Sequence, residues 1–275
     1  SLGVLELIGA EDARVPAAVA AVLPDLARAV DLAVAGLRAG GRVHYFGAGS
    51  SGRYGMLDAA EIPPTYGVPA DRFVAHLAGG PGALLRAVEE VEDDEAAGGR
   101  EAGDVAPGDV VVGLTASGRT PYVAGALAAA RARGATTVLV TSNPAALLAP
   151  LADVVVATDT GPEAVTGSTR MKAGTAQKVV LHSFSTAVMV RLGRTYSNLM
   201  IDLAPSNGKL RARQVAMLAM ATGAGEEACA TVLDGAAGDM RVALVSLLAG
   251  LEPEQAKARL AAAGGDVRAA VVPPR

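Results

Sequence analysis

Hydrophobic positions in this chain fall into short β-favouring runs and longer stretches with helical spacing, and glycine- or serine-rich turns join them. The first short run is Val43 to Phe46. Arg72–Leu77, Asp109–Leu114, Thr137–Thr141 and Val154–Ala157 follow it. Near-continuous apolar runs such as DVVVGL fit strands of a parallel sheet that is covered on both faces. Val15 to Ala39 reads as two helical segments around Pro24, closed by Gly40 and Gly41. Five strands alternating with helices predict a right-handed, doubly wound α/β sandwich. Thr175 to Leu192 reads as one long helix, buried because Val179, Val180, Leu181, Phe184, Val188 and Met189 make it apolar on most faces. After Pro205 the chain becomes Ala-rich and helical, with glycine breaks near 223, 235, 250 and 264, which predicts a small bundle of about three helices. The expected division is an α/β domain over 1–207 and a helical bundle over 208–275.

The turn after the first strand, GAGSSG at 47–52, runs into a helix-compatible segment. A strand, a small-residue turn and a helix start leave backbone N–H groups aimed at one place, and the helix dipole adds to their pull on an anion. The Ser50 and Ser51 hydroxyls add further donors. The same letters spell the G-x-G-x-x-G dinucleotide fingerprint, which needs an acid roughly 20 residues on to hold ribose hydroxyls. Here the second strand ends in Ala78, Gly79 and Gly80, so phosphate is favoured over a dinucleotide. Pro63 and Pro64 are expected to stop the helix at Ile62. Glu61 would then sit at its C-terminal end, where the dipole disfavours a negative charge and suits a proton donor.

Pro81 is expected to start a helix with Leu84, Leu85, Val88 and Val91 on one face. Glu92 falls inside that stripe, either as a solvated residue of an acidic run or as a functional carboxylate. TASGRTPYV at 115–123 is a second strand, serine turn and helix, with Thr120 as an expected N-cap and Pro121 in the first turn. Ser117, Arg119 and Thr120 are candidates for the same phosphate or a second polar group. The loop before the long helix carries Glu163, Ser168, Thr169, Arg170, Lys172 and Thr175. Helix capping is the plainer role for Ser168 and Thr169, and solvation for Arg170.

Composition narrows the classes. Aromatic residues make up only 3% of a chain that is 51% hydrophobic, so the core must come from close packing of Ala, Val and Leu. The net charge of -4 and the lack of a basic run argue against nucleic acid. Cys229 is the one cysteine, which excludes a disulfide framework or cysteine metal site and fits a reducing cytoplasm. No secretory signal opens the chain and no apolar run reaches bilayer length, so a cytoplasmic location without membrane contact is expected. His44, His76 and His182 have no metal-ligand spacing and read as structural.

Several stretches together resemble the N-acetylmuramic acid 6-phosphate etherase family: GAGSSGRYGMLDAAEIPPTYG at 47–67, AVEEVEDD at 87–94, VVGLTASGRTPYV at 111–123, GPEAVTGSTRMKAGTAQKVVLHSFSTAVMVRLG at 161–193 and NLMIDLAPSNGKLRARQV at 198–215. The resemblance implies a sugar isomerase (SIS) type three-layer sandwich with a five-stranded parallel sheet, plus a C-terminal helical domain similar to a ubiquitin-associated fold. It implies a homodimer with shared active sites, a phosphorylated amino sugar as substrate, and no metal or organic cofactor. It places the family's proton donor on Glu61 and its second catalytic glutamate on Glu92. Phosphate contacts are expected from Ser50, Ser51, Ser117 and Thr120, with Arg119, Glu163, Ser168, Thr169 and Lys172 as further substrate-binding candidates. Two other readings stay open: an aldose–ketose isomerase on the same scaffold, and a non-catalytic sugar phosphate sensor resembling the glucokinase regulatory protein.

Overall fold

The computed structural model describes residues 1–202 and 208–272, the side chains of 208–210 excepted. In chain order the elements are α1 (Leu2–Asp12), α2 (Val15–Ala21), α3 (Leu23–Arg38), β1 (Val43–Gly47), α4 (Gly49–Tyr66), β2 (Phe73–Leu77), α5 (Gly82–Leu85), α6 (Glu95–Glu101), β3 (Val110–Leu114), α7 (Pro121–Ala132), β4 (Thr136–Thr141), β5 (Val154–Ala157) and α8 (Lys172–Arg191). A short hairpin of β6 (Thr195–Tyr196) and β7 (Leu199–Met200) follows. The chain then forms α9 (Gly208–Thr222), α10 (Glu226–Gly235), α11 (Met240–Ala249), α12 (Pro253–Ala262) and α13 (Val267–Val271). Two compact units emerge: 1–60 with 70–188, and 61–69 with 189–275.

In the first unit five parallel strands are ordered β2-β1-β3-β4-β5. Side chains alternate between the two faces of such a sheet. Tyr45 and Val112 are register partners on one face, where Tyr45 meets Phe184 of α8 and Gly55 of α4, and Val110 meets Gly36 of α3. On the other face Phe46, Val111 and Leu139 pack with Tyr122, Val123, Ala126 and Leu127 of α7. Helices on both faces make a three-layer sandwich. Small residues set its spacing: a Cβ on Gly98 of α6 would lie 1.9 Å from the Tyr122 carbonyl, so glycine alone lets α6 and α7 touch backbone to backbone.

The second unit has its own core, in which Leu218, Cys229, Leu233, Val245, Leu260 and Val267 from α9 to α13 pack together with Ile201. Five helices occupy the described part of the C-terminal region, against the three or so expected, because each expected glycine break ends one. Pro205 and the expected boundary at 207 fall at residues 203–207, outside the described residues.

One helix end differs from expectation. α4 does not stop at Ile62 but continues through Pro63 and Pro64 to Tyr66. The prolines remove two N–H donors, yet Ile62 and Tyr66 are both buried, and the Gly67 N–H bonds to the Pro63 carbonyl at 2.9 Å. Gly67 then closes the helix at φ +60°, with the Asp202 carbonyl too near for a side chain. Burial of the last turn outweighs the lost ladder bonds.

Candidate functional site

In a sheet of order 2-1-3-4-5 the chain reverses direction between β1 and β3, and a crevice opens beyond their C-terminal ends. Gly47 and Leu114 are register partners there, so the turns after β1 and β3 lie side by side. The first turn leads straight into α4, leaving the N–H groups of Gly49, Ser50 and Ser51 without helical carbonyls behind them. It is held tight because a Cβ on Gly52 would lie 2.4 Å from the Gly47 carbonyl oxygen. Ser50 is half-buried at this helix start. Ser51 is buried, and its hydroxyl donates to Gln177 Oε1 of α8 at 2.8 Å, while Gln177 Nε2 has no partner among the described residues.

Thr115 organises the second turn. Its buried hydroxyl lies 2.8 Å from Thr120 Oγ1 and 3.4 Å from Ser117 Oγ, and it accepts the Gly118 N–H at 3.2 Å. Thr120 does stand before α7, but it does not cap it: its side chain turns to Thr115 instead of a first-turn N–H. Ser117 and Arg119 are exposed at the rim. Asn143, from the turn after β4, donates to the Ser117 carbonyl at 2.9 Å and braces the turn from outside. Ser50, Ser51, Ser117 and Thr120 are thus brought to one edge of the sheet, around backbone donors that favour an anion.

The loop before α8 is arranged differently. The Glu163 carboxylate accepts the N–H groups of Lys172 and Ala173, both at 3.0 Å, and so caps α8 itself. The structure therefore assigns the cap to Glu163 and not to Ser168 or Thr169, whose side chains make no such bond. Lys172 is 1% exposed and its ammonium pairs with Glu11 of α1. That hydrogen bond holds the Glu11 carboxyl below the usual carboxylate range. Thr169 and Arg170 are exposed and Ser168 is half-buried.

Glu92 does not lie on a helix stripe. α5 ends at Leu85, Arg86 is extended, Glu90 has a left-handed φ of 66°, and Glu92 sits in a single 3-10 turn, Val91–Asp93. Six acids between 89 and 95 repel one another along any continuous helix, and Asp94 instead caps α6 by accepting the Ala97 N–H at 2.7 Å. Glu61 is exposed on α4, within the stretch that clusters with the second unit, and Glu92 is exposed in the first. Pro63 and Pro64 leave the Ala59 and Ala60 carbonyls beside Glu61 without ladder donors, so the negative end of the dipole persists there although the helix continues.

Sequence reasoning passed over Asp58. It is 2% exposed and accepts hydrogen bonds from Tyr45 Oη at 2.7 Å and Ser185 Oγ at 2.8 Å, with His182 Nδ1 also at 2.8 Å. Burial raises its pKa against the lowering effect of these bonds. The other histidines form a pair inside the sheet: His44 Nδ1 is 3.1 Å from His76 Nε2, and His44 Nε2 is 3.3 Å from Asp109 Oδ2. Burial lowers His44, and it pushes His76, stacked 4.0 Å over Phe46, down to about 4. Among the described residues no group of three or more His, Cys, Asp or Glu is placed to hold a metal, and no helix is long and apolar enough to cross a membrane.

Comparison with known proteins bears on this geometry. Residues 25–131 match the glucokinase regulatory protein N-terminal SIS domain, and residues 84–187 match the SIS domain. The chain is 60% identical over 239 residues to the N-acetylmuramic acid 6-phosphate etherase of Thermobifida fusca, covering 87% of this chain and 79% of that protein. A phosphoheptose isomerase from Francisella tularensis shares the fold with a TM-score of 0.53 at 17% identity, over 68% of this chain and 97% of that one. The Vibrio vulnificus NanR protein complexed with ManNAc-6P does so with a TM-score of 0.51 at 15% identity, over 69% and 64%. The sandwich of the first unit is an SIS fold.

Proposed function

Because this chain belongs to the N-acetylmuramic acid 6-phosphate etherase family, we propose that it cleaves the D-lactyl ether of N-acetylmuramic acid 6-phosphate, giving N-acetylglucosamine 6-phosphate and D-lactate in cell wall recycling. The observation that carries the reading is the pair of hydroxyl-lined turns at the β1/β3 edge, with Ser50 and Ser51 on one and Ser117 and Thr120 on the other. They suit the 6-phosphate, whose binding energy orients the sugar. In this reading Arg119, Ser168 and Thr169 make the outer substrate contacts, while Glu163 and Lys172 shape the loop through their internal bonds.

In the open-chain sugar the ether at C3 is β to the aldehyde. A base takes the C2 proton, an acid protonates the lactyl oxygen, and the C3–O bond breaks to leave an unsaturated aldehyde and D-lactate. Water then adds at C3, its oxygen becoming the new hydroxyl and one proton returning to C2. Glu61 is the proton donor to the departing oxygen and Glu92 the second carboxylate. Each positioned proton-transfer group is typically worth about 10²–10⁴-fold.

The protein acts as a cytoplasmic homodimer whose active sites draw on both subunits. What supports a partner surface is α1: it buries no residue, and Leu2, Val4, Leu5 and Leu7 are each at least 61% exposed. The match to the glucokinase regulatory protein domain favours one other reading, a sensor that binds sugar phosphate without turnover. Incubation with N-acetylmuramic acid 6-phosphate separates them. Catalytic D-lactate release supports the etherase; ligand binding without lactate supports the sensor.

A further inference from the structure

Arg53 lies on the first turns of α4, two residues beyond Ser51, and no part of the reaction just described uses it. Its guanidinium faces the segment after β2. Nε donates to the carbonyls of Ala83 at 3.1 Å and Leu84 at 3.2 Å, and Nη2 donates to Ala83 at 2.8 Å and Arg86 at 3.1 Å. One side chain thus holds three carbonyls of a short stretch of backbone that no strand or long helix supports. Leu84, Leu85 and Val88 are exposed, so beyond the buried Ala83 apolar packing does little to fix this stretch. Its other fixed point is Val91, whose methyl groups lie 3.4 Å from where a Gly79 Cβ would stand. Glu92 is the next residue.

We propose that Arg53 is a positioning residue for Glu92: it fixes the path of residues 83–86, so that the segment reaches Val91 in one register and presents the Glu92 carboxylate in one place. The inference rests on the reading of Glu92 as a catalytic carboxylate. Because Arg53 and the phosphate-facing serines share one turn of α4, it also ties the phosphate site mechanically to the carboxylate. Guanidinium geometry matters here, since a planar fork reaches carbonyls on both sides at once, whereas an ammonium on a flexible stem reaches fewer.

The test compares Arg53→Ala, Arg53→Lys and Glu92→Gln in lactate release from N-acetylmuramic acid 6-phosphate, together with amide hydrogen exchange over residues 82–95. Misplacing a catalytic group by about 1 Å can lower the rate by about 100-fold. Arg53→Ala is expected to lower kcat by about tenfold or more, to leave KM within about threefold, and to speed exchange over 82–95 but not over β3 and α7. Arg53→Lys should recover part of both effects. If the alanine variant does not fold, the lysine variant carries the same readouts with a smaller expected change. Unchanged kcat, a loss confined to KM, or unaltered exchange over 82–95 in a folded variant would overturn the inference. Wild-type turnover by Glu92→Gln would instead overturn the reading of Glu92, while exchange would still report whether Arg53 holds the segment.

Discussion

His182 Nδ1 lies 2.8 Å from Asp58 Oδ1, a contact between residues 124 apart in sequence that joins the middle of α8 to α4. Asp58 sits one helical turn before Glu61, so the burial of this carboxylate fixes how α4 rolls against the sheet. Removing Asp58 leaves the buried Tyr45 and Ser185 hydroxyls, and His182 Nδ1 on a half-buried ring, without their carboxylate acceptor. Each stranded buried group costs about 1–3 kcal/mol. Asp58→Ala is therefore expected to lower unfolding free energy by about 3 kcal/mol, read from a urea titration, and Asp58→Asn by less. A loss below about 0.5 kcal/mol would mean that the network is not a structural element.

Acid should weaken the fold through the histidine pair. The folded pKa of His76, about 4, lies below its ordinary value of 6.5. Below pH 6.5 the unfolded chain therefore binds a proton that the folded chain refuses, and stability falls as pH drops. The loss runs from about pH 6.5 to about pH 4, below which both states are protonated; His44, lowered in the same direction, adds to it. Asp58, raised above 3.8, works in the opposite sense at the acid end of the window. Unfolding free energies from denaturant titrations between pH 7.5 and 4 should fall by about 1–3 kcal/mol for the wild type. In a His44→Phe/His76→Phe variant the slope between pH 6.5 and 4 should flatten.

Glu163→Ala should disturb the start of α8 specifically. It strands the Lys172 and Ala173 N–H groups, and loss of a cap typically costs about 0.5–2 kcal/mol. The expected outcome is a modest drop in thermal midpoint with faster amide exchange in residues 172–176. Glu163→Gln keeps one acceptor and should fall between the two.

Both glutamates should be indispensable for turnover. Glu61→Gln and Glu92→Gln are expected to lower lactate release by about 10²-fold or more with little change in thermal midpoint, since both side chains are exposed. Full activity in either variant removes that residue from the mechanism.

The strands were legible because a two-sided sheet demands continuous apolar runs, and Val154–Ala157 stands where the pattern puts it. The serine turns after β1 and β3 were legible as turns because strand, serine turn and helix start are local in sequence. The helix expected to start at Pro81 and run past Glu92 stops at Leu85, for a local reason too: apolar spacing at 84, 85, 88 and 91 competes with charge repulsion and with a left-handed Glu90. Other features were hidden because their partners are distant. Arg53 meets carbonyls about thirty residues on, and Lys172 meets Glu11, 161 positions back. Neither spacing leaves a trace in periodicity. The two-residue strands of the 195–200 hairpin are too short to alternate visibly.

The central claim is cleavage of the sugar C3–O bond by elimination and re-addition of water. It is tested most directly by turning over N-acetylmuramic acid 6-phosphate in ¹⁸O-water and locating the label by mass spectrometry. The account predicts ¹⁸O at the C3 hydroxyl of N-acetylglucosamine 6-phosphate and unlabelled hydroxyl oxygen in D-lactate. Label in the lactate hydroxyl with none at C3 would contradict it.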